Sequence, residues 1–178
     1  MYPSNELVVP NQIKSEYLLI DTRSTIGNTV TYHNNDNTLL NFRIKLNEMN
    51  PDTNYTTTPG VVFHRIQSIE LSGISFSHHF RNDTTFSNTE YIIIDIEELN
   101  GRIYSNNEFV NGTFAIVYLE DGKYYHKGRD FFEKTKVFNP PLTSLSALNV
   151  KILNPNNDIL SIPTGGSMTM MFKINTVT

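Results

Sequence analysis

The sequence predicts an all-β chain, a single antiparallel sandwich of about eight short strands. Three features carry that prediction. Short apolar runs recur between turn signals, several with strict period-two alternation. No segment sustains a period of 3.6 over three helical turns. Asn makes up about one residue in eight, Thr, Ile, Tyr and Phe are common, and Ala is nearly absent, a balance that suits turns and strand faces rather than helices.

Residues 1–14 contain Pro3 and Pro10 and no clean period, and read as an extended N-terminal arm; residues 15–178 read as one domain. A chain of 178 residues can bury a sizeable core without disulfides or metals. The first strand is expected over Tyr17–Thr22. In Leu40–Leu46, Leu40, Phe42, Ile44 and Leu46 share one face while Asn41, Arg43 and Lys45 share the other, which is a strand with one wet side. Across Val61–Phe76 the apolar parity changes twice, from Val62 and Ile66 to Ile69 and Leu71, then back to Ile74 and Phe76. A one-residue slip flips every side chain, so the segment is expected to contain bulges or bends, with Gly73 a natural site.

Tyr91–Ile96 carries Ile92, Ile93 and Ile94 in a row and is expected to be buried on both faces, ending at Asn100-Gly101. Thr113–Glu120 follows, closed by the turn signal Asp121-Gly122. Over 123–138, Tyr124 and Tyr125 are expected to continue a hairpin, Asp130–Lys134 to form one helical turn, and Val137-Phe138 to begin a sixth strand. Leu148–Ile152 alternates cleanly and stops at Asn154-Pro155-Asn156-Asn157-Asp158. Met168–Ile174 places Met168, Met170, Phe172 and Ile174 on the core side. Long connections after the first three strands imply Greek-key crossings, and a jelly roll rather than an up-and-down barrel.

Several function classes are disfavoured. With no Cys there is no disulfide framework, thiolate zinc site or thiol chemistry, and the composition fits a reducing compartment. A net charge of −4 without basic runs gives no electrostatic pull toward nucleic acid or anionic membranes. No apolar stretch approaches the roughly 20 residues of a membrane helix, and Met1–Glu6 lacks the pattern of a signal peptide. Of the five histidines, His33, His64, His78, His79 and His126, only His78-His79 are close, and neighbours on a strand point to opposite faces. Asp95, Glu97 and Glu98 form the densest acidic cluster. Asp95 and Glu97 on one strand face would lie about 6.5–7 Å apart, a spacing a glycosidase pair also uses, although a solvated strand face is the commoner origin of such a pair. No nucleophile elbow or phosphate loop exists, and Gly165-Gly166 reads as a turn. The sequons at Asn54, Asn82 and Asn111 are expected to be unused. No catalytic residue, metal ligand or cofactor is therefore expected, and the chain reads as a non-enzyme. Tyrosine- and Asn-rich loops, Tyr124 and Tyr125 among them, keep a carbohydrate-binding module or attachment lectin as the alternative; the lack of Trp counts against it.

Several stretches also carry a family resemblance. Tyr17-Leu18-Leu19-Ile20-Asp21-Thr22-Arg23-Ser24 resembles an "IDSRDR" opening, with Thr22 in place of Ser. Ile66-Gln67-Ser68-Ile69-Glu70-Leu71 and the following Ile74-Ser75-Phe76 resemble a "SIEL" segment, without its usual proline. Ile94-Asp95-Ile96-Glu97-Glu98-Leu99 is similar to an "IEEL" strand end. The run from Pro141 through Leu145, Leu148, Val150 and Ile152 to Asn154-Pro155-Asn156 is similar to a further segment, with Asn156-Asn157 where Asp-Gly is common. In this order and spacing, from about residue 17 to 174, they resemble the single jelly-roll penton and minor capsid proteins of nucleocytoplasmic large DNA viruses. The resemblance implies a virion protein assembled in the host cytoplasm. It would plug a fivefold vertex as a homopentamer, or fill another minor capsid position, against the major capsid protein and other minor capsid proteins, with no catalytic residues. Repeated heterologous contacts about a rotation axis give avidity from modest interfaces, and the arm before Tyr17 is expected to order on assembly.

Overall fold

The computed structural model describes residues 12–22, 30–32, 38–46, 63–77, 79–80, 89–99, 101, 103, 105–119, 125–127, 131–132 and 135–178. Along the chain the strands are β1 (Ile13–Asp21), β2 (Val30–Tyr32), β3 (Asn41–Lys45), β4 (Phe63–Phe76), β5 (Tyr91–Ile96), β6 (Ala115–Tyr118), β7 (Tyr125–Lys127), β8 (Phe131–Phe132), β9 (Thr135–Leu145), β10 (Ala147–Leu153) and β11 (Met168–Val177). Eight of them, each at least four residues long, make two antiparallel four-stranded sheets, β1-β11-β4-β9 and β3-β10-β5-β6. The short strands extend these sheets: β7 pairs with the C-terminal end of β4, β2 with β3 and β8 with β6.

The two sheets face each other as a β-sandwich. Leu18 and Ile20 of β1, Ile69, Leu71 and Ile74 of β4, and Met168, Met170, Phe172 and Ile174 of β11 pool with Phe42, Ile44, Ile92, Ile94, Val150 and Ile152 of the opposite sheet in one buried core. Alternation does the sorting, because residues two apart on a strand share a face and the inner set here is almost purely apolar. The alternation read in Leu40–Leu46, Leu148–Ile152 and Met168–Ile174 is present as expected.

The two parity changes in β4 are real. The β4–β11 register slips between Leu71 and Gly73, leaving Ser72 as the extra residue, and again between Ile66 and Ser68, leaving Gln67. Each bulge moves the following apolar residues back to the core side, which is how Ile66, Ile69, Leu71 and Ile74 are all buried.

Other expectations need correction. The first strand begins at Ile13, not Tyr17, because β11 runs on to Val177 and gives Ile13 and Lys14 partners in Val177 and Thr176. Residues 1–11 of the arm lie outside the described residues. Phe131 and Phe132 are not in a helical turn; they form β8 and pair with Val117 and Ile116, satisfying their backbone on the open edge of β6. Tyr125 does not continue a hairpin with β6. It lies in β7, opposite Ser75 in the other sheet, and Tyr124 lies outside the described residues. The strand expected at Val137-Phe138 spans Thr135–Leu145 and passes through a cis Asn139–Pro140 bond at the edge of its sheet, where a missing N–H is tolerated.

Candidate functional site

The triple isoleucine leads to the most built-up surface. Ile92 and Ile94 face the core, so Ile93 must face outward, yet it is fully buried. Its cover is the connection between β5 and β6. Ile103 and Val110 of that connection pack with Ile93, Ile116 and Leu153 in a second, smaller apolar cluster on the outer face of the sheet. The connection is held by short-range bonds that its sequence encodes. Asn107 caps the 3-10 turn Glu108–Val110, its side-chain oxygen accepting from Phe109 N at 3.1 Å. Its amide nitrogen donates to Tyr91 Oη at 3.1 Å and to the Pro155 carbonyl at 2.9 Å, tying the connection to β5 and to the turn after β10. Gly101 N donates to the Gly112 carbonyl. A Cβ at Gly101 would stand 1.9 Å from the Thr113 carbonyl oxygen, so only glycine permits this crossing.

Between this connection, the end of β10 and the turn Asn154–Asp158 lies an open cavity of about 360 Å³. Asp95, on the outer face of β5, lines it. Phe109, Asn111 and Thr113 come from the connection, and Asn157 from the turn. That turn is pre-set by Asn154, whose side-chain oxygen accepts from both Asn156 N and Asp158 N at 2.9 Å, with Asn157 at φ +71°. Burial pushes the Asp95 carboxyl above its usual pKa range. The Lys151 ammonium, 3.9 Å away, pulls it down, and Glu97 adds to the rise.

The acidic cluster is arranged differently from the strand pair expected of it. β5 ends at Ile96, and Glu97 and Glu98 sit in the 3-10 turn Glu97–Leu99. Both carboxylates turn to Asn149 of β10. Glu98 accepts from Asn149 N at 2.8 Å and from Asn149 Nδ2 at 2.6 Å, and Glu97 accepts from Nδ2 at 3.3 Å. Arg43 donates to Asn149 Oδ1, completing a cross-strand network whose role is to order the sheet surface.

The histidines are spread over the fold. His64 is exposed on β4, His79 lies in a 3-10 turn, and His126 sits in β7 opposite Ile74. His33 and His78 lie outside the described residues, as do Asn54 and Asn82. Asn111 is exposed, but its side-chain oxygen is engaged by Ser105 N, and the hydroxyl of its sequon partner Thr113 is buried and donates to the Val110 carbonyl. Gly165, at φ +75°, and Gly166, where a Cβ would stand 2.7 Å from the Pro163 carbonyl oxygen, form the expected turn before β11.

The opposite outer face, on β1-β11-β4, is ordered in rows. A polar row, Ser15–Asn175–Ser68, is hydrogen-bonded across three strands at 2.7 and 2.9 Å. An apolar row aligns Leu19, Met171 and Gly73, with Tyr17 beside Leu19 on the same face of β1. Leu19 is 65% and Tyr17 64% exposed, and β1 is the edge strand of its sheet. Sequence reasoning passed over this face and over Phe109 and Asn107, and took Asn111 only as a sequon. The only hint of the cavity was the run of isoleucines, which required something to cover the outer face of β5. No family model matches the sequence, and no curated protein is significantly similar to it.

Proposed function

We propose that this chain is a structural subunit of a viral capsid, a penton or minor capsid protein of an icosahedral large DNA virus, which acts by packing rather than by catalysis. The observation that supports the reading most is the pairing scheme. β1 pairs with β11, β3 with β10, β4 with β9 and β5 with β6. A long eight-stranded hairpin ribbon wound into two sheets would give this set of pairs, and the scheme therefore supports the jelly-roll arrangement that the sequence resemblance implies. The exposed Leu19 and Tyr17 on β1, an edge strand among the described residues, with Met171 beside Leu19 on β11, support it further, since such a row is a liability in a lone subunit and an asset where a neighbour covers it.

In this reading five copies surround a vertex through one repeated heterologous contact and meet the major capsid protein at their periphery. The deciding experiment is a reconstruction of intact particles containing the chain. Density for the sandwich at the fivefold vertices, or at another fixed position in the shell, is expected. Its absence from the shell of particles that carry every other capsid protein would refute the reading. In solution, sedimentation at five times 20.4 kDa would identify the penton position among the capsid roles.

A further inference from the structure

The cavity beside Asp95 has chemistry that packing does not require. Asp95 offers acceptor oxygens that the Lys151 ammonium, at 3.9 Å, approaches without closing a hydrogen bond. Asn111 has its oxygen engaged by Ser105 N at 2.7 Å, which leaves its NH2 group as a donor. Thr113 Oγ1 already donates to the Val110 carbonyl, so what it retains is acceptor capacity. Asn157 adds a second exposed carboxamide, and the Phe109 ring is 40% exposed.

Each ligand class meets this wall differently. An anion is repelled by Asp95 and the nearby Glu97. A cationic ligand would compete with Lys151 for the same carboxylate. An apolar ligand would strip water from Asp95 and give nothing back. A hydroxyl group both donates and accepts, so adjacent hydroxyls are matched by a carboxylate beside a carboxamide. The C–H face of a pyranose matches an exposed aromatic ring. The volume of about 360 Å³ lies at the small end of ligand cavities, which run from about 300 to 1,000 Å³. The walls are also held in advance, since Asn107 ties the connection to both Tyr91 and Pro155.

We infer that this cavity binds a neutral polyhydroxylated ligand, one or two pyranose units, with Asp95 accepting from its hydroxyls, Asn111 donating to them and Phe109 stacking on its apolar face. The inference does not depend on the capsid reading; the site is formed within one subunit.

The test is an amide-resolved NMR titration of the isotope-labelled full chain with methyl α-mannopyranoside, methyl β-galactopyranoside and methyl N-acetyl-β-glucosaminide, with glycerol as a separate arm and a glycan array run in parallel. At least one glycoside is expected to give saturable shifts in the millimolar range, confined to residues 95, 101, 109–113 and 153–157, while glycerol gives none. Asp95→Ala is expected to weaken that binding about tenfold or more, the loss of a charged hydrogen-bond acceptor. Phe109→Ala, at an exposed ring whose loss leaves the core intact, weakens it as well. Array signal with silent monosaccharides, abolished by Asp95→Ala, identifies the ligand as part of a longer glycan. Silence in both arms, shifts that map elsewhere, glycerol matching the glycosides, or undiminished binding in Asp95→Ala overturns the inference.

Discussion

Replacing Ile93 with alanine tests whether the connection between β5 and β6 is a packed cover or a surface loop. Ile93 points away from the sandwich interior, and a strand with one wet face would leave it in solvent, where substitution changes stability by less than about 0.5 kcal/mol. In the structure it is fully buried beneath Ile103 and Val110. Ile→Ala removes the equivalent of three methylenes, roughly 2.4 kcal/mol at about 0.8 kcal/mol for each. The unfilled space adds a cavity term, which brings the expected loss to about 2.5–4 kcal/mol. In a domain of this size that lowers the midpoint of thermal unfolding by about 6–15 °C. Urea unfolding followed by far-UV circular dichroism measures it directly, with Ile94→Ala, in the main core, as the reference for a fully buried isoleucine. Amide exchange across residues 101–113 should also accelerate in Ile93→Ala and not in Ile94→Ala at equal global stability. A loss below about 0.5 kcal/mol at Ile93, with a normal loss at Ile94, would refute the packed cover and with it the walls of the cavity.

Three further outcomes follow from the same surface. Asn107→Ala removes the cap on Phe109 N and the ties to Tyr91 and Pro155; it should cost about 1–2 kcal/mol and raise exchange at the amides of Phe109 and Val110. Gly101→Ala forces a Cβ into the Thr113 carbonyl and should destabilise by about 1–3 kcal/mol, whereas Gly73→Ala, with open space around the new atom, should be neutral or slightly stabilising; equal denaturation midpoints for the two would contradict the crossing. Asp95 has its pKa raised in the folded state, so the native chain holds the Asp95 proton more tightly than the unfolded one. Its contribution therefore falls as pH rises through the folded pKa, and Asp95→Asn should gain stability near pH 7, a gain that shrinks as the pH falls toward about 4. Thermal melts of both proteins across that range check the sign; a gain that grew on acidification would show that the attraction of Lys151 outweighs burial.

The sequence by itself determined the fold class and most of the core. Leu40, Phe42, Ile44 and Leu46, or Met168, Met170, Phe172 and Ile174, declare their inner face by spacing alone, because a strand's period of two is a local property. Even the two slips in β4 were legible, since a bulge that keeps apolar residues inside must shift their parity. What only the tertiary structure decided is everything that depends on which strand meets which. β7 joins β4 and β8 joins β6 from within one short, weakly patterned stretch, and no local signal distinguishes a residue pairing in one sheet from its neighbour pairing in the other. Asp95 and Glu97 read as one strand face, yet Glu97 leaves the strand together with Glu98 and both hold Asn149, some fifty residues away in sequence. The cavity belongs wholly to this second kind of information. Asp95, Asn111 and Asn157 are unremarkable one by one; they share a wall only because a connection folds back over the outer face of β5 and a turn after β10 rises beside it. Local alternation is written into each strand, but the meeting of distant segments is settled by the packing free energy of the whole chain.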